Sequence, residues 1–495
     1  MVLDRKLTVK VVLIEVTSDY YRRNPLSQMA RVLEPLAVEY IGGYLEQFKH
    51  DITLIHQLDL DNESLVARVV GMKPDFVGIS CMTYSFPDAQ TIARAIKKEC
   101  PKATTVLGGY HTLGLSDCPD GFDFVVKGEG ELPCREILDF LAGRRLSVSN
   151  IPGVVYYRDP STEQSRPGRD INHDRQLPAF PWPMRLDRSR YFSMSMGENY
   201  LATMNMGENY PGTQLACVVV GRGCPYSCDF CCTPQLFHGR HVCRSIVDVV
   251  DEIVHLQAHL GVNTINIRDE TFTPQTMVRK FCKELQDRRV RVQWRAFATV
   301  GSLDQETLQQ MASAGCHMLF YGIEASDSET LRLRHKSFAR HFDQIFVDIA
   351  HAQDAGIFVR AGFIVGHETD TEQAFERHLA FLKQVHPDEL YISFLTPFPG
   401  TPLFDRAKER GDIIEDNLRH YDCEHPVLRV KIPPKELVRL RTELYAGFYG
   451  SNEWRQHLKK RVARNPREQA TVDRFIHFAH EHLGLKEPFS AWNGS

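Results

Sequence analysis

The strongest constraint on this chain is a rhythm. Short apolar runs of strand length alternate with segments of helical period, first over residues 9–142 and again over 215–410. In the first stretch the runs are 9–16 (VKVVLIEV), 52–56, 76–82 (FVGISCM), 104–109 (TTVLGG) and 124–127. Between them Leu36, Tyr40, Ile41, Tyr44, Leu45 and Phe48 recur at helix spacing behind Pro35, and 64–70, 87–98 and 132–141 read as further helices. Strands joined by helices of this length need crossover connections. That predicts a parallel, doubly wound α/β sheet with its ligand at the strands' carboxyl ends.

In the second stretch strands are expected at 215–220, 264–268, 292–298, 318–323, 358–365 and 390–395. Helices are expected at 247–258, 276–288, 305–314, 342–355, 372–385 and 402–410. Six strand–helix units fit an open parallel sheet or a partial (β/α)6 barrel, again with chemistry at the carboxyl ends. Residues 143–214 break the rhythm. They are polar and proline-dense (LPAFPWP at 177–183) and read as a linker with room for a small hairpin. A near-repeat, MSMGENY at 194–200 and MNMGENY at 204–210, is a local duplication in a loop or a substrate-contacting loop; two copies make no solenoid. Residues 433–447 and 453–464 look helical, no strands are evident after 416, and 486–495 are expected to be loose. The expected domains are 1–145, a linker over 146–212, a barrel over 213–415 and a mainly helical region over 416–495. The 495 residues agree with the length prior of about three domains.

Composition removes several classes of function. Lys plus Arg is 59 and Asp plus Glu is 63, a net charge of −4, which argues against nucleic-acid binding by bulk charge. With 43% hydrophobic and 25% charged residues, wholesale disorder is excluded. No apolar run is long enough to cross a bilayer, and the start lacks the apolar core of a signal peptide, so a cytoplasmic location is expected. In that compartment the 13 cysteines, an odd number, are not expected to form a disulfide framework. Cys81, Cys100, Cys118, Cys134, Cys282, Cys316 and Cys423 stand alone and read as small buried hydrophobes. A dense group remains: Cys217, Cys224, Cys228, Cys231, Cys232 and Cys243.

Within it, Cys224-Pro-Tyr-Ser-Cys228-Asp-Phe-Cys231 follows the first strand of the second stretch. Soft thiolates this close select zinc, copper(I) or an iron–sulfur cluster. A protein-ligated cubane normally takes four cysteines, so three leave one iron open to a small molecule. Zinc is the alternative, with Cys232, His238, His241 or Cys243 completing the set, in a binding protein rather than an enzyme. Structural zinc loops are usually hairpin knuckles, whereas this loop joins a strand to a helix. Cys232, beside a ligand, is expected to pack rather than ligate.

A CxxxCxxC loop after the first of six β/α units resembles the radical S-adenosylmethionine superfamily over about 200 residues, 215–410. Further segments carry the likeness: Phe230 before the third cysteine, Arg268-Asp269-Glu270-Thr271-Phe272 ending the second strand, Tyr321-Gly322-Ile323-Glu324 ending the fourth, Val359-Arg360-Ala361-Gly362-Phe363-Ile364-Val365-Gly366 along the fifth, and Thr396-Pro397-Phe398-Pro399-Gly400-Thr401-Pro402-Leu403 after the sixth. They are similar to the branch with a cobalamin-binding domain in front, which includes methyltransferases acting on unactivated carbon and the anaerobic ring cyclase of chlorophyll synthesis. The resemblance implies a [4Fe-4S] cluster on Cys224, Cys228 and Cys231, whose open iron holds the amine and carboxylate of S-adenosylmethionine. One-electron cleavage would give methionine and a 5′-deoxyadenosyl radical. It implies Phe230 near the adenine and Asp269 or Glu270 on the ammonium. Glu324 would meet a ribose hydroxyl, and Arg360 would pair with the carboxylate through a two-pronged contact. The plainer readings are that Asp269 and Glu270 cap the next helix and that Glu324 pairs with Arg360.

In the first stretch Ser80, Thr83 and Tyr84 follow the third strand, Gly108-Gly109-Tyr110-His111-Thr112 the fourth and Gly128-Glu129-Gly130-Glu131 the fifth. Together they resemble the branch's cobalamin-binding fold, which makes Ser80, Thr83, Gly108, Gly109, His111, Gly128, Glu129 and Gly130 the expected contacts. The Asp-x-His-x-x-Gly signature of histidine-ligated cobalt is absent, as is frequent in this branch. The resemblance implies cobalamin as second cofactor, a small-molecule substrate, an electron donor such as flavodoxin or ferredoxin, and methylation of an unactivated carbon. Dehydration, rearrangement or ring formation without methyl transfer is the alternative. Tyr421 and His425, in the polar segment 420–426, are the candidates for substrate contact or for interdomain packing.

Overall fold

The computed structural model describes residues 8–17, 34–58, 60–145, 147–159, 164–168 and 214–464. The near-repeat at 194–210, the proline-dense stretch at 177–183 and the tail at 486–495 lie outside these residues.

In the front unit β1 (Lys10–Glu15), β2 (Asp51–His56), β3 (Phe76–Ser80), β4 (Thr104–Gly108) and β5 (Phe124–Val126) form a parallel sheet in the order β2-β1-β3-β4-β5. Side chains alternate between its faces. Val12, Ile14, Val77, Ile79 and Leu107 pack with the helices Asn62–Gly71 and Phe86–Glu99. Leu13, Phe76, Val106 and Val126 pack with Leu36–Glu46 and Glu131–Leu141. The sheet does not end at β5. β6 (Val154–Arg158) and β7 (Ser165–Pro167), in the stretch expected to be linker, add to it as an antiparallel hairpin. The hairpin covers the edge that β5 would otherwise expose.

The second unit begins with β8 (Leu215–Val218) and a small hairpin, β9 (Gly221–Gly223) with β10 (His241–Cys243). β11 (Thr264–Ile267), β12 (Gln293–Ala298), β13 (Cys316–Glu324), β14 (Phe358–Val365) and β15 (Glu389–Phe394) follow. All pair in parallel in the order β15-β14-β13-β12-β11-β8, an open six-stranded barrel wall backed by helices. Trp294 anchors its core, edge-on to Phe272 and Phe281, with its indole N–H donating to the Ala314 carbonyl at 2.8 Å.

The C-terminal helices Pro434–Tyr449 and Asn452–Arg464 continue this core through Leu440, Leu444, Phe448 and Trp454. They also cover β15. The Leu390 N–H donates to the Tyr449 hydroxyl at 2.9 Å and the Ile392 N–H to the Tyr445 hydroxyl at 2.6 Å. At the opposite edge the Cys217 N–H of β8 donates to the Glu34 carboxylate of the front unit.

The two units meet at their strands' carboxyl ends. The 3-10 turn Tyr110–Gly114 lies against the loop after β15. A Cβ at Gly114 would collide with Pro399, and one at Gly400 would come within 2.6 Å of Leu113. Both positions require glycine because the backbones touch. Arg419 on the far side pairs with Asp88 at 2.9 Å.

Candidate functional site

The three-cysteine loop leaves β9 and is tied down on both sides. The Asp229 N–H donates to the Arg334 carbonyl at 3.3 Å, and the Leu403 N–H donates to the Asp229 carbonyl at 3.0 Å. The Asp229 carboxylate is fully buried and lies between two guanidiniums, Arg334 at 3.5 Å and Arg406. Arg334 reaches on to Glu368 at 3.0 Å. Phe230 packs into the apolar group of Ile364, Leu395 and Leu403 at the ends of β14 and β15. Burial raises all three thiols, Cys231 to about 12, so they carry protons until a metal displaces them. Three thiol donors on one loop fit a cluster with one iron left open. Cys232 begins the helix Thr233–Phe237.

The residues expected around S-adenosylmethionine divide. Glu324 sits at the end of β13 with a φ of 62°, and its carboxylate pairs with Lys336 at 3.0 Å. That ammonium lies over the Phe230 ring, 6.0 Å from its centroid, and its field reaches Cys228 and Cys231. Glu270 is exposed at the end of β11 and accepts the Tyr110 hydroxyl across the junction of the units. Asp269 is buried and accepts the Val220 N–H at 2.7 Å, which fixes the entry to β9. Neither carboxylate caps the next helix, Gln275–Asp287, which has no side-chain cap.

Arg360 is a correction. It is the third of eight residues in β14, level with Glu389 at the start of β15, and pairs with that carboxylate. Five residues at about 3.3 Å each separate it from the strand's end, so it does not reach the cysteine loop. It does not pair with Glu324 either. Lys336, in a loop with no motif to mark it, is a buried cation at the cluster end, where Arg334 already holds Asp229. Tyr421 takes a packing role. It is 2% exposed and its hydroxyl donates to the Glu415 carbonyl at 2.9 Å, so it braces its own segment. His425 is half-buried, pairs with Asp422 at 2.9 Å and stacks on His420. The Asp422 hydrogen bond raises its pKa. The segment lies beside β15, since the Phe394 N–H donates to the Cys423 carbonyl at 2.8 Å.

At the carboxyl ends of the front sheet lies a cavity of about 280 Å³. Of the expected contacts, Ser80, Gly108, Gly109, Gly128, Glu129 and Gly130 line it. Thr83 and His111 are not among the lining residues. Both are buried, and the His111 ring stacks on Phe86 of the other face with its centroid 4.0 Å away; burial lowers its pKa to about 4. Adjacent to it, Tyr110 lines the cavity. Leu13, Glu15, Met82 and, from the second unit, Arg222 also line it, and no motif marks them in the sequence. The walls are mostly apolar. At Gly108 a side chain would find room, with the Ile79 carbonyl oxygen nearest at 4.0 Å, whereas one at Gly109 would strike the Cys81 backbone and one at Gly130 the Ile41 side chain.

Burial pushes the Glu15 carboxyl up to about 7 despite a hydrogen bond from Ser80. The folded chain thus holds this proton more tightly than the unfolded one. Its contribution to stability is full below about pH 4.5 and is lost as pH rises to about 7. Glu15→Gln is expected to flatten that part of the cofactor-free protein's stability profile and to gain about 1–3 kcal/mol above it. Thermal melts across the pH range check this; a parallel profile refutes it.

Comparison with known proteins agrees with this geometry. Residues 218–382 match the Radical SAM superfamily, and residues 26–138 match the B12 binding domain. The chain carries a B12-binding domain in front of a radical SAM domain. This radical SAM enzyme is 26% identical over 424 residues to an uncharacterised methyltransferase of Pyrococcus horikoshii, covering 84% of this chain and 87% of that one. It is 26% identical over 415 residues to the anaerobic magnesium-protoporphyrin IX monomethyl ester cyclase of Rubrivivax gelatinosus, covering 80% and 70%. In fold it is similar to the radical S-adenosylmethionine methyltransferase TsrM of Kitasatospora setae, solved with cobalamin and a [4Fe-4S] cluster, with a TM-score of 0.66, 15% identity and 89% of each chain covered. The cofactor set of the branch is cobalamin, S-adenosylmethionine and a [4Fe-4S] cluster. Among the described residues no helix is long and apolar enough to cross a membrane.

Proposed function

We propose that this radical SAM enzyme methylates an unactivated carbon of a small molecule. The observation that carries the reading is the meeting of two sites. Tyr110 lines the cavity of the front sheet and donates its hydroxyl to Glu270, whose charge reaches Cys224 and Cys231 of the three-cysteine loop. When bound, the cluster with S-adenosylmethionine supplies a 5′-deoxyadenosyl radical, and cobalamin supplies a transferable methyl group.

The chain's own residues do the rest. Cys224, Cys228 and Cys231 would hold the cluster, and Phe230 would present an apolar face to the adenine. Lys336, already charged and turned toward the cysteines, would take the carboxylate of S-adenosylmethionine, which would free Glu324 for a ribose hydroxyl. Glu270 would accept from the ammonium. Ser80 and the glycines at 108, 109, 128 and 130 would line the corrinoid. An electron donor such as flavodoxin or ferredoxin and a cytoplasmic setting belong to the same reading.

The test is anaerobic turnover of protein reconstituted with iron, sulfide and hydroxocobalamin. S-adenosylhomocysteine is expected alongside 5′-deoxyadenosine, its formation dependent on the corrinoid. The likeness to the ring cyclase favours a second reading, oxidative ring formation, in which 5′-deoxyadenosine forms alone. That outcome would sink methyl transfer.

A further inference from the structure

Arg222 is the middle residue of β9, two positions before Cys224. Its backbone is held from three sides. Asp269 takes the Val220 N–H, β10 pairs along β9, and Gly223 turns the chain at a φ of 83° where a side chain would strike the Arg240 carbonyl. Its guanidinium leaves its own unit. It donates to Glu129 at 2.9 Å and pairs with Glu131 at 2.7 Å, both in the front unit, and lies over the Tyr40 ring 4.9 Å from the centroid. Tyr40, Glu129, Glu131 and Arg222 all line the front cavity. One stiff side chain therefore joins the cavity wall to the root of the cysteine loop.

A forked guanidinium on two carboxylates fixes direction as well as distance. Removing Arg222 alone leaves Glu129 and Glu131 without their cation, so Arg222→Met also carries a stability cost, and the distance is read only on protein that has kept its iron and corrinoid. Holding the units together does not depend on Arg222 alone, since the Gly114–Pro399 contact, Arg419–Asp88 and Glu34–Cys217 remain. We propose that Arg222 is a positioning residue that sets the cluster loop at a fixed distance from the corrinoid site. The proposal rests on the cofactor assignments above, and its first readout is independent of methyl transfer.

The test uses holoenzyme with full iron and corrinoid content. Pulsed EPR measures the separation of cob(II)alamin from the reduced cluster in the parent, Arg222→Lys and Arg222→Met. The parent is expected to give one narrow distance. Arg222→Met is expected to give a longer or broadened one, with iron and corrinoid retained, and Arg222→Lys to fall between. In turnover, the ratio of S-adenosylhomocysteine to 5′-deoxyadenosine is expected to drop at least about tenfold in Arg222→Met, because small misplacements cost reaction steps heavily. An unchanged distance overturns the proposal, as does parallel loss of iron, corrinoid and both products in both variants. A parent that makes no S-adenosylhomocysteine refutes methyl transfer instead and leaves the distance measurement to decide Arg222.

Discussion

Alanine at Cys224, Cys228 or Cys231 is expected to reduce 5′-deoxyadenosine formation to background and to strip most of the iron from the reconstituted protein. The reason is the donor count. With one iron already left to a small molecule, removing a thiolate leaves two protein ligands for a cluster held by a single loop. Cys232→Ala is the control, because it sits at the start of the helix Thr233–Phe237 beside the donor set and is expected to keep its iron. Iron, sulfide and zinc analysis of the four variants, with product chromatography, reads the result. Retained iron in Cys231→Ala with loss in Cys232→Ala would reassign the third ligand. Zinc without iron in the parent would replace the cluster altogether.

Asp229→Ala is expected to destabilise the fold by about 3–5 kcal/mol, the cost of leaving a buried charge without its partner. Asp229 is 0% exposed, and the side chain of Arg334 is 3% exposed. Without the carboxylate, Arg334 is left with Glu368 as its ion-pair partner among the described residues, and Arg406 loses its pairing with the loop. Asp229→Asn keeps the shape and loses the charge, so an intermediate loss is expected. Melting temperature and iron retention should fall in the order parent, Asn, Ala. A fall in iron with no change in melting would mean that the carboxylate acts on the cluster and not on the fold.

The parallel sheets were legible because each strand between helices is a dense apolar run. Residues 76–82 needed only their end trimmed, to Phe76–Ser80, and 358–365 stands as read, Phe358–Val365. The hairpin β9–β10 was not, and β6–β7 was foreseen only as a small hairpin somewhere in the linker, without its strands or its place on the sheet. Ser165–Pro167 and Gly221–Gly223 carry no strand pattern and pair because tertiary contacts place them beside a partner. At the site, the three cysteines stood out by chemistry. His111 and Tyr110 could not be ranked, since neighbouring residues leave a loop in opposite directions and only the fold says which faces the cavity. Arg360 misled although its place was legible: it is the third of eight residues in the run 358–365, and that depth, far from the carboxyl end, keeps its side chain from the cluster. Lys336 reaches the site from a loop after a short helix, where no local pattern marks it.

The open wall of the second unit has both margins occupied by side chains, Glu34 on β8 and two phenols on β15. These acceptors take the peptide N–H groups that would otherwise recruit another strand at those positions. The wall is thereby discouraged from curling shut on itself and from templating a second chain. The six strands thus stay an open row with β8 and β15 as its two ends, and the covering of each end is supplied from a different part of the chain, the front unit at β8 and the C-terminal helices at β15.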